Sequence, residues 1–517
     1  MAWFTPRQPT LPELIKNNGL WLGEKPALEV GEARWTWRDF AAETARVAQA
    51  LSRDGVQPGQ RVAVLMDNSA EMMLAMFGTI RAGAVAVPLN VSISDTAVAS
   101  MIADSDARAV FSSAGHVPRI DALRDALPEG TEKRLIAADG ASSGWQDFAR
   151  WLEGASTEPP ENDITPEDEC NIIYSSGTTG MPKGIVHDHR ARSAWAYDMA
   201  IGLRYHAGAR TLCSLGLYSN ISWVAMLATM LAGGTIIVMP RFDARGCLEL
   251  IETARITHTT VVPVQLQRML EVPDFERHDL SSLYSVMCCG SPLPLPYKRR
   301  IVDALGPAFM ELYGLTEGLV TILSPEDMGR KTESVGLPCP GQQLRILDDQ
   351  DAACPAGEAG EIVGRGPLLM AGYHNRPEAD AEATWTDAEG ARWLRTGDIG
   401  KLDKDGFLYL VDRKKDMIIS GGQNIYPADI ESVIAGHNAV REVAVIGAPS
   451  TRWGETPLAV VATRNEVDGD SLRAWVNSRV GKQQRIAGVR FVEALPRNPN
   501  GKVLKRELRK VYDEVLP

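Results

Sequence analysis

Short apolar runs and helical patterns alternate at close spacing between residues 61 and 113, and this alternation confines the chain to few architectures. "RVAVLM" (61–66) is apolar at consecutive positions, as a strand covered on both faces must be. "SAEMMLAMFGTIRAG" carries a helical pattern as far as Gly83, and "AVAVPLN" (84–90) returns to extended chain. "DTAVASMIADSDA" is helical again and "RAVFSS" extended. Strands joined through helices in this way build parallel sheets with right-handed crossovers. The unit recurs at 246–263, where "GCLELIETARI" leads into "THTTVVP". An α/β fold follows, and at 517 residues the chain needs more than one core.

The texture changes near residue 392. "RWLRTGDIGKLDKDGFLYLVDRKKDMII" holds two extended runs around "DKDG", a hairpin signature. Residues 417–517 then form a compact mixed set. "PADIESVIAG" reads as a helix with Pro427 in its first turn, "EVAVIG" and "PLAVVAT" as strands, and "SLRAWVNSRV" as a helix. "GKVLKRELRKVYDEVL" reads as a closing amphipathic helix with Leu504, Leu508, Val511 and Val515 on one face. The expected organisation is a large N-terminal region of stacked α/β subdomains (1–412), a joint at 413–415 and a small α+β domain (416–517).

Composition excludes several classes. Fifty-four basic against 66 acidic side chains give a net charge of −12, which argues against bulk attraction to nucleic acid. Seven cysteines include the neighbours Cys288 and Cys289 but no CxxC spacing, so they read as reduced thiols. No apolar h-region opens the chain. From Thr211 to Pro240 no side chain is charged, a length that could span a bilayer. Asn220, the hydroxyls and Gly233-Gly234 instead make it a buried strand–helix–strand unit. A cytoplasmic protein without a transmembrane segment is expected.

"YSSGTTGMPKG" (174–184) packs three glycines, four Ser or Thr hydroxyls and one lysine into a stretch with no apolar period. Glycines let backbone amides close around an anion, and hydroxyls and a lysine add donors. It is not a Walker A loop, because Pro182 stands five residues after Gly177. Composition alone leaves two readings, a phosphate cradle or a flexible surface loop.

The stretch resembles the phosphate loop of the AMP-forming adenylating enzymes, the superfamily of acyl-CoA synthetases, peptide-synthetase adenylation domains and beetle luciferases. Four more segments match in order: "LYGLTEG" (312–318), "RTGDIGKLDKDGFLYLVDRKKDMII" (395–419), "GGQNIYPADIE" (421–431) and "NPNGKVLKREL" (498–508). The resemblance implies an acid–CoA ligase that uses ATP, Mg2+ and CoA, with a mobile C-terminal domain. Loading of a separate carrier protein is the alternative.

Site residues follow from the same resemblance. Ser175, Ser176, Gly177, Thr178, Thr179 and Gly180 would cradle the β- and γ-phosphates, with Lys183 as further charge. Thr316 would touch the α-phosphate, Glu317 would bind magnesium and Tyr313 would stack on adenine. Asp398 would accept both ribose hydroxyls, which suits an ionised carboxylate. Arg413 would lie near ribose and phosphate, and a structural ion pair is its other reading. Lys502 would neutralise the meeting anions, while Lys505, Arg506, Arg509 and Lys510 read as a solvated helix face. Lys415 takes the hinge position, and Gly421 and Gly422 would line the pantetheine tunnel.

The acid pocket is the least determined part. Ser219 and Asn220 stand where amino-acid-activating relatives carry an aspartate and many CoA ligases a histidine, so a cationic amino acid is not the expected substrate. Trp223 reads either as pocket floor or as helix core. Val262, Met287, Cys288, Gly290, Gly314, Leu315 and Val320 are further lining candidates. An apolar lining points to a medium-chain fatty acid or an aryl or arylalkyl acid. Glu311 replaces an amide that reads adenine N6, a bond that a carboxylate can also accept. The expected partners are this acid and CoA, with a homodimer as one candidate assembly.

Overall fold

The computed structural model describes residues 8–140, 143–175, 182–293, 295–413, 416–420, 423–451, 453–481, 484–497, 501–513 and 516. Arg61–Leu65 (β1) pairs in parallel with its neighbours Val85–Pro88 (β2) and Ala109–Ser113 (β3). Ala70–Arg81 (α1) crosses between β1 and β2. Ser69 caps α1 by accepting from the Met72 amide, and Gly83 leaves it at a φ of +73°. The strand–helix–strand reading of 61–113 therefore holds.

Beside β2 runs the hairpin of Glu169–Ser175 (β4) and Lys183–Asp188 (β5), which completes an eight-stranded sheet with the edge pair Gly372–Tyr373. His189–Gly202 (α2) follows directly. Arg210–Cys213 (β6) and Thr235–Val238 (β7), joined through Asn220–Ala232 (α3), lie in a second, nine-stranded sheet. The uncharged stretch is thus the strand–helix–strand unit expected of it, closed by Gly233 in the left-handed region. Among the described residues no helix is long and apolar enough to cross a membrane.

His258–Val261 (β8), Ser285–Cys288 (β9), Phe309–Gly314 (β10) and Val320–Leu323 (β11) continue that sheet. One core joins the two sheets. It takes Val62, Val64 and Phe111 from the first, Cys213, Ile236 and Met310 from the second, and Met73, Phe77, Trp195, Trp223 and Met226 from α1, α2 and α3. Helices held between two sheets are covered all round, which is why α3 needs no polar face.

Arg392–Leu402 (β12) and Leu408–Arg413 (β13) form the expected hairpin. Asp403 ties its turn by accepting from the Asp405 and Phe407 amides at 2.9 and 3.0 Å. A separate five-stranded sheet uses only strands between Ile418 and Phe491, and helices Pro427–Ala435 and Gly469–Asn477 belong to the same small domain. The closing helix differs from its sequence reading. It covers only Lys505–Val511, because Val503 is drawn into a bridge with Arg497. Leu508 is buried while Val511 is exposed, and Val515 lies outside the described residues.

Candidate active site

Five residues separate β10 from β11, and they carry the "LTEGL" chemistry. Leu315 closes the turn by donating to the Leu319 carbonyl at 3.1 Å, and the Gly318 amide returns to the Leu315 carbonyl at 3.1 Å. Gly318 sits at a φ of +117° so close to Leu368 that a Cβ would stand 2.1 Å from its carbonyl oxygen. Only glycine fits there. The Met370 amide donates to the Glu317 carbonyl at 2.8 Å, and Tyr373 Oη to Glu317 Oε1 at 3.0 Å. The loop bearing Thr316 and Glu317 is therefore clamped along 368–373.

Tyr373 also brings in the phosphate-like loop. Lys183 Nζ lies 4.9 Å from the centre of its ring, a cation–π contact. Burial and the nearby Glu317 charge hold the Tyr373 phenol well above its usual range, so it remains a donor. Ser175 and Lys183 stand opposite each other in the β4–β5 register, which fixes both ends of the connecting loop. Ser176, Gly177, Thr178, Thr179 and Gly180 lie outside the described residues, as do Lys415, Gly421 and Gly422.

On the other side, Tyr313 Oη donates to Asp398 Oδ2 at 2.9 Å. Asp398 is buried, its amide held by Thr396 Oγ1 at 3.0 Å. Arg413 stands opposite Asp398 across the β12–β13 ladder, and its side chain lies outside the described structure.

Lys502 enters from the small domain. The preceding Gly501 is buried at a φ of +79°, where an added Cβ would stand 3.2 Å from Val264 and 4.0 Å from Val262. Arg497 Nη1 donates to the Gly501 carbonyl at 2.5 Å while its Nη2 pairs with Glu442 at 3.1 Å. The 501–502 segment thus rests on the N-terminus of the helix Pro263–Leu270, a part of the large region far away in sequence.

The acid-pocket candidates divide. Ser219 caps α3 and is followed by Asn220; Trp223, one turn on, is fully buried and packs 5.7 Å from Phe77. The helix-core reading of Trp223 accounts for its contacts. Met287 and Val320 share its core, whereas Gly290, Gly314 and the half-buried Leu315 sit at strand ends and the turn. Cys288 needs correction. One step along β9 turns it to the opposite face, where it packs with Val261, Leu266 and Phe309. Glu311 also differs from its expectation. Its carboxylate is buried and ion-paired with Lys298 Nζ at 2.5 Å, so it has a partner within the protein. Burial raises its pKa against the pull of that lysine.

The contacts of Tyr373 to Glu317 and of Lys298 to Glu311 were not legible in the sequence. Tyr373 and Glu317 are far apart in sequence, and Lys298 and Glu311 lie on different elements. All seven cysteines are free thiols, as their spacing implies.

The AMP-binding enzyme family model matches residues 21–374, and the AMP-binding enzyme C-terminal domain model matches residues 429–502. The chain is 38% identical over 494 residues to the long-chain-fatty-acid–CoA ligase FadD13 of Mycobacterium tuberculosis, covering 94% of this chain and 95% of that protein. It is 35% identical over 491 residues to the feruloyl-CoA synthase of an Amycolatopsis species, covering 94% and 96%. The crystal structure of ATP-bound MatB from Rhodopseudomonas palustris superposes with a TM-score of 0.88 at 28% identity, covering 98% of this chain and 99% of that one.

Proposed function

The chain belongs to the AMP-binding enzyme family, and on that premise we propose that it is an AMP-forming acid–CoA ligase acting on a largely apolar carboxylic acid. An acid carboxylate oxygen attacks the α-phosphorus of ATP, the bond to the bridging oxygen breaks, and pyrophosphate leaves. The CoA thiolate then attacks the acyl carbon and AMP departs. Two anions meet in the first step, so positioning and positive charge matter more than proton transfer.

The observation that supports this reading most is the gathering of Lys183, of Tyr313 and Glu317, and of Asp398 from three separate segments at neighbouring strand ends, with the 501–502 segment laid against Val262 and Val264. Tyr313 would carry adenine while Asp398 holds the ribose hydroxyls. Ser175 and Lys183 would border the phosphates, and Thr316 would face the α-phosphate. Lys502 would neutralise charge where the carboxylate meets phosphorus, an effect worth about 3–4 kcal/mol in comparable sites.

Glu317 fits a magnesium ion that takes its remaining oxygens from phosphate and water, and such an ion would withdraw charge from the phosphates. Among the described residues no cluster of three or more His, Cys, Asp or Glu could hold a metal without such help. We further propose that 413–415 is a hinge between residues 1–412 and 416–517, that rotation there withdraws Lys502 after adenylation, and that Gly421 and Gly422 then line the path of the thiol. A cytoplasmic location, where ATP and CoA are both at hand, goes with this reading.

Acid-dependent exchange of labelled pyrophosphate into ATP, across a panel of carboxylic acids, tests the first half-reaction; CoA addition tests the second. Exchange with acyl-CoA formation is expected. Exchange without a CoA thioester would transfer the acceptor role to a carrier protein, and no exchange with any acid would overturn the proposal.

A further inference from the structure

A buried cation is bonded to Asn220, one of the acid-pocket candidates. Arg192, on the first turns of α2, is wholly inaccessible between the two large sheets. Its Nε donates to Asn171 Oδ1 at 2.7 Å and its Nη1 to Asn220 Oδ1 at 2.9 Å, and the guanidinium lies 4.9 Å from the Trp223 ring. Around it the donors are incompletely used. Arg192 Nη2, Asn171 Nδ2 and Trp223 Nε1 are all buried and have no acceptor among the described residues.

No carboxylate among the described residues ion-pairs with the guanidinium, and desolvation draws its pKa down to about 9. Buried polar groups are almost always satisfied, and an unbalanced buried charge is among the most costly features a core can hold. A site rich in donors, short of acceptors and positively charged is complementary to an oxygen anion.

Its place in the fold relates it to the reaction. Asn220 opens α3 directly after its cap Ser219, and both are candidates for the acid pocket. His187, the cross-strand partner of Asn171, is fully buried, and burial holds its imidazole neutral. Trp195, one turn past Arg192, donates to the Leu368 carbonyl at 3.0 Å, the same carbonyl against which Gly318 is pressed. The guanidinium therefore lies between Asn171 on β4 and the start of α3, on the helix whose Trp195 reaches the segment that clamps the Thr316–Glu317 loop.

Resting on the ligase reading above, we infer that Arg192 and Asn220 form a polar inner end of the acid pocket, and that the acid activated here carries a second oxygen acceptor at its far end, foremost a second carboxylate. Asn171 is a positioning residue that fixes the guanidinium through Nε. The apolar stem of such an acid lies against the apolar lining, and its remote oxygens meet the donors. A neutral hydroxyl or keto oxygen would satisfy the hydrogen bond but leave the charge unbalanced, so it ranks second.

The test compares kcat/KM for AMP release among acids of matched length ending in methyl, hydroxyl or carboxylate. Wild type is expected to favour the carboxylate-ended acid over the methyl-ended one by at least about tenfold, and Arg192→Met to lower that ratio about 30- to 100-fold, chiefly through KM. Arg192→Lys should restore part of the preference and Asn220→Leu should lower it about tenfold. If Arg192→Met does not melt cooperatively, the Lys and Asn220→Leu variants decide the matter. A wild-type preference for methyl-ended acids, or a ratio that moves less than about threefold in every folded variant, would overturn the inference while leaving the ligase reading intact. Failure of wild type to turn over any acid would overturn both.

Discussion

Tyr313 Oη donates to Asp398 Oδ2 at 2.9 Å, so the ring proposed to carry adenine and the carboxylate proposed to hold ribose are one bonded unit. Truncating the carboxylate removes the ribose acceptor and frees the ring that leans on it. Asp398→Ala is expected to lower kcat/KM for ATP about 100-fold, and Tyr313→Phe, which keeps the ring, only about three- to tenfold. The ATP dependence of pyrophosphate exchange reads both. Equal losses in the two variants would mean that the hydroxyl, not the carboxylate, carries the nucleotide.

Lys502, proposed above to serve the adenylating step, follows a glycine packed on Val262 and Val264. Lys502→Ala should cut pyrophosphate exchange about 10²–10³-fold, since one lost donor at a developing charge costs that much. Thioester formation from synthetic acyl-adenylate and CoA should be spared, because the proposed rotation has by then withdrawn the amine. Parallel loss of both half-reactions would argue against the rotation.

Much of this was readable in advance, and the exceptions have physical causes. Apolar runs at 61–66 and 84–90 have only one favourable home, a strand covered on both faces, and the parallel pairing of β1 and β2 follows. The turn at "LTEGL" was legible through the resemblance of "LYGLTEG" to a family motif, not from spacing or composition. Glu311 was not, since its fate depends on Lys298, thirteen positions earlier and on another element. The side to which Cys288 faces depends on the register of β9, which a one-residue slip inverts. Arg192 carried no signal, because nothing local reveals which face of α2 is packed into the core between the two sheets.

Lys298 and Glu311 make a buried ion pair, in which Lys298 Nζ also donates to the Ser334 carbonyl at 2.9 Å. Removing one partner strands the other charge in the core. Lys298→Met is expected to destabilise the protein by about 3–5 kcal/mol, and adding Glu311→Leu to recover most of that loss. Urea midpoints of wild type, the single variant and the double variant give the answer. A double variant no more stable than the single one would mean that the pair has a role beyond charge balance.

His258 predicts a pH dependence of stability. The imidazole is fully buried, with its ring 4.2 Å from that of Tyr205 and its nitrogens 2.7 Å from Thr257 Oγ1 and 3.2 Å from the Arg204 carbonyl. Burial, helped by His206, draws its pKa down to about 4, even though the Arg204 carbonyl favours the charged form. In the unfolded chain the ring titrates near its ordinary value of about 6.5. Between these values the unfolded state binds the proton and the folded state does not, so stability rises with pH across the window and is lost as pH falls from about 6.5 to 4. The contribution is about 2–3 kcal/mol over the whole window, with a limiting slope of about 1.4 kcal/mol per pH unit. His189, drawn to about 4 by burial, adds in the same sense. His258→Gln removes one titrating group without adding charge. Its unfolding free energy should fall less steeply than wild type between pH 6.5 and 4, whatever its absolute stability at pH 7. Parallel curves for the two proteins across that range would show that His258 takes up its proton as readily in the folded state as in the unfolded one.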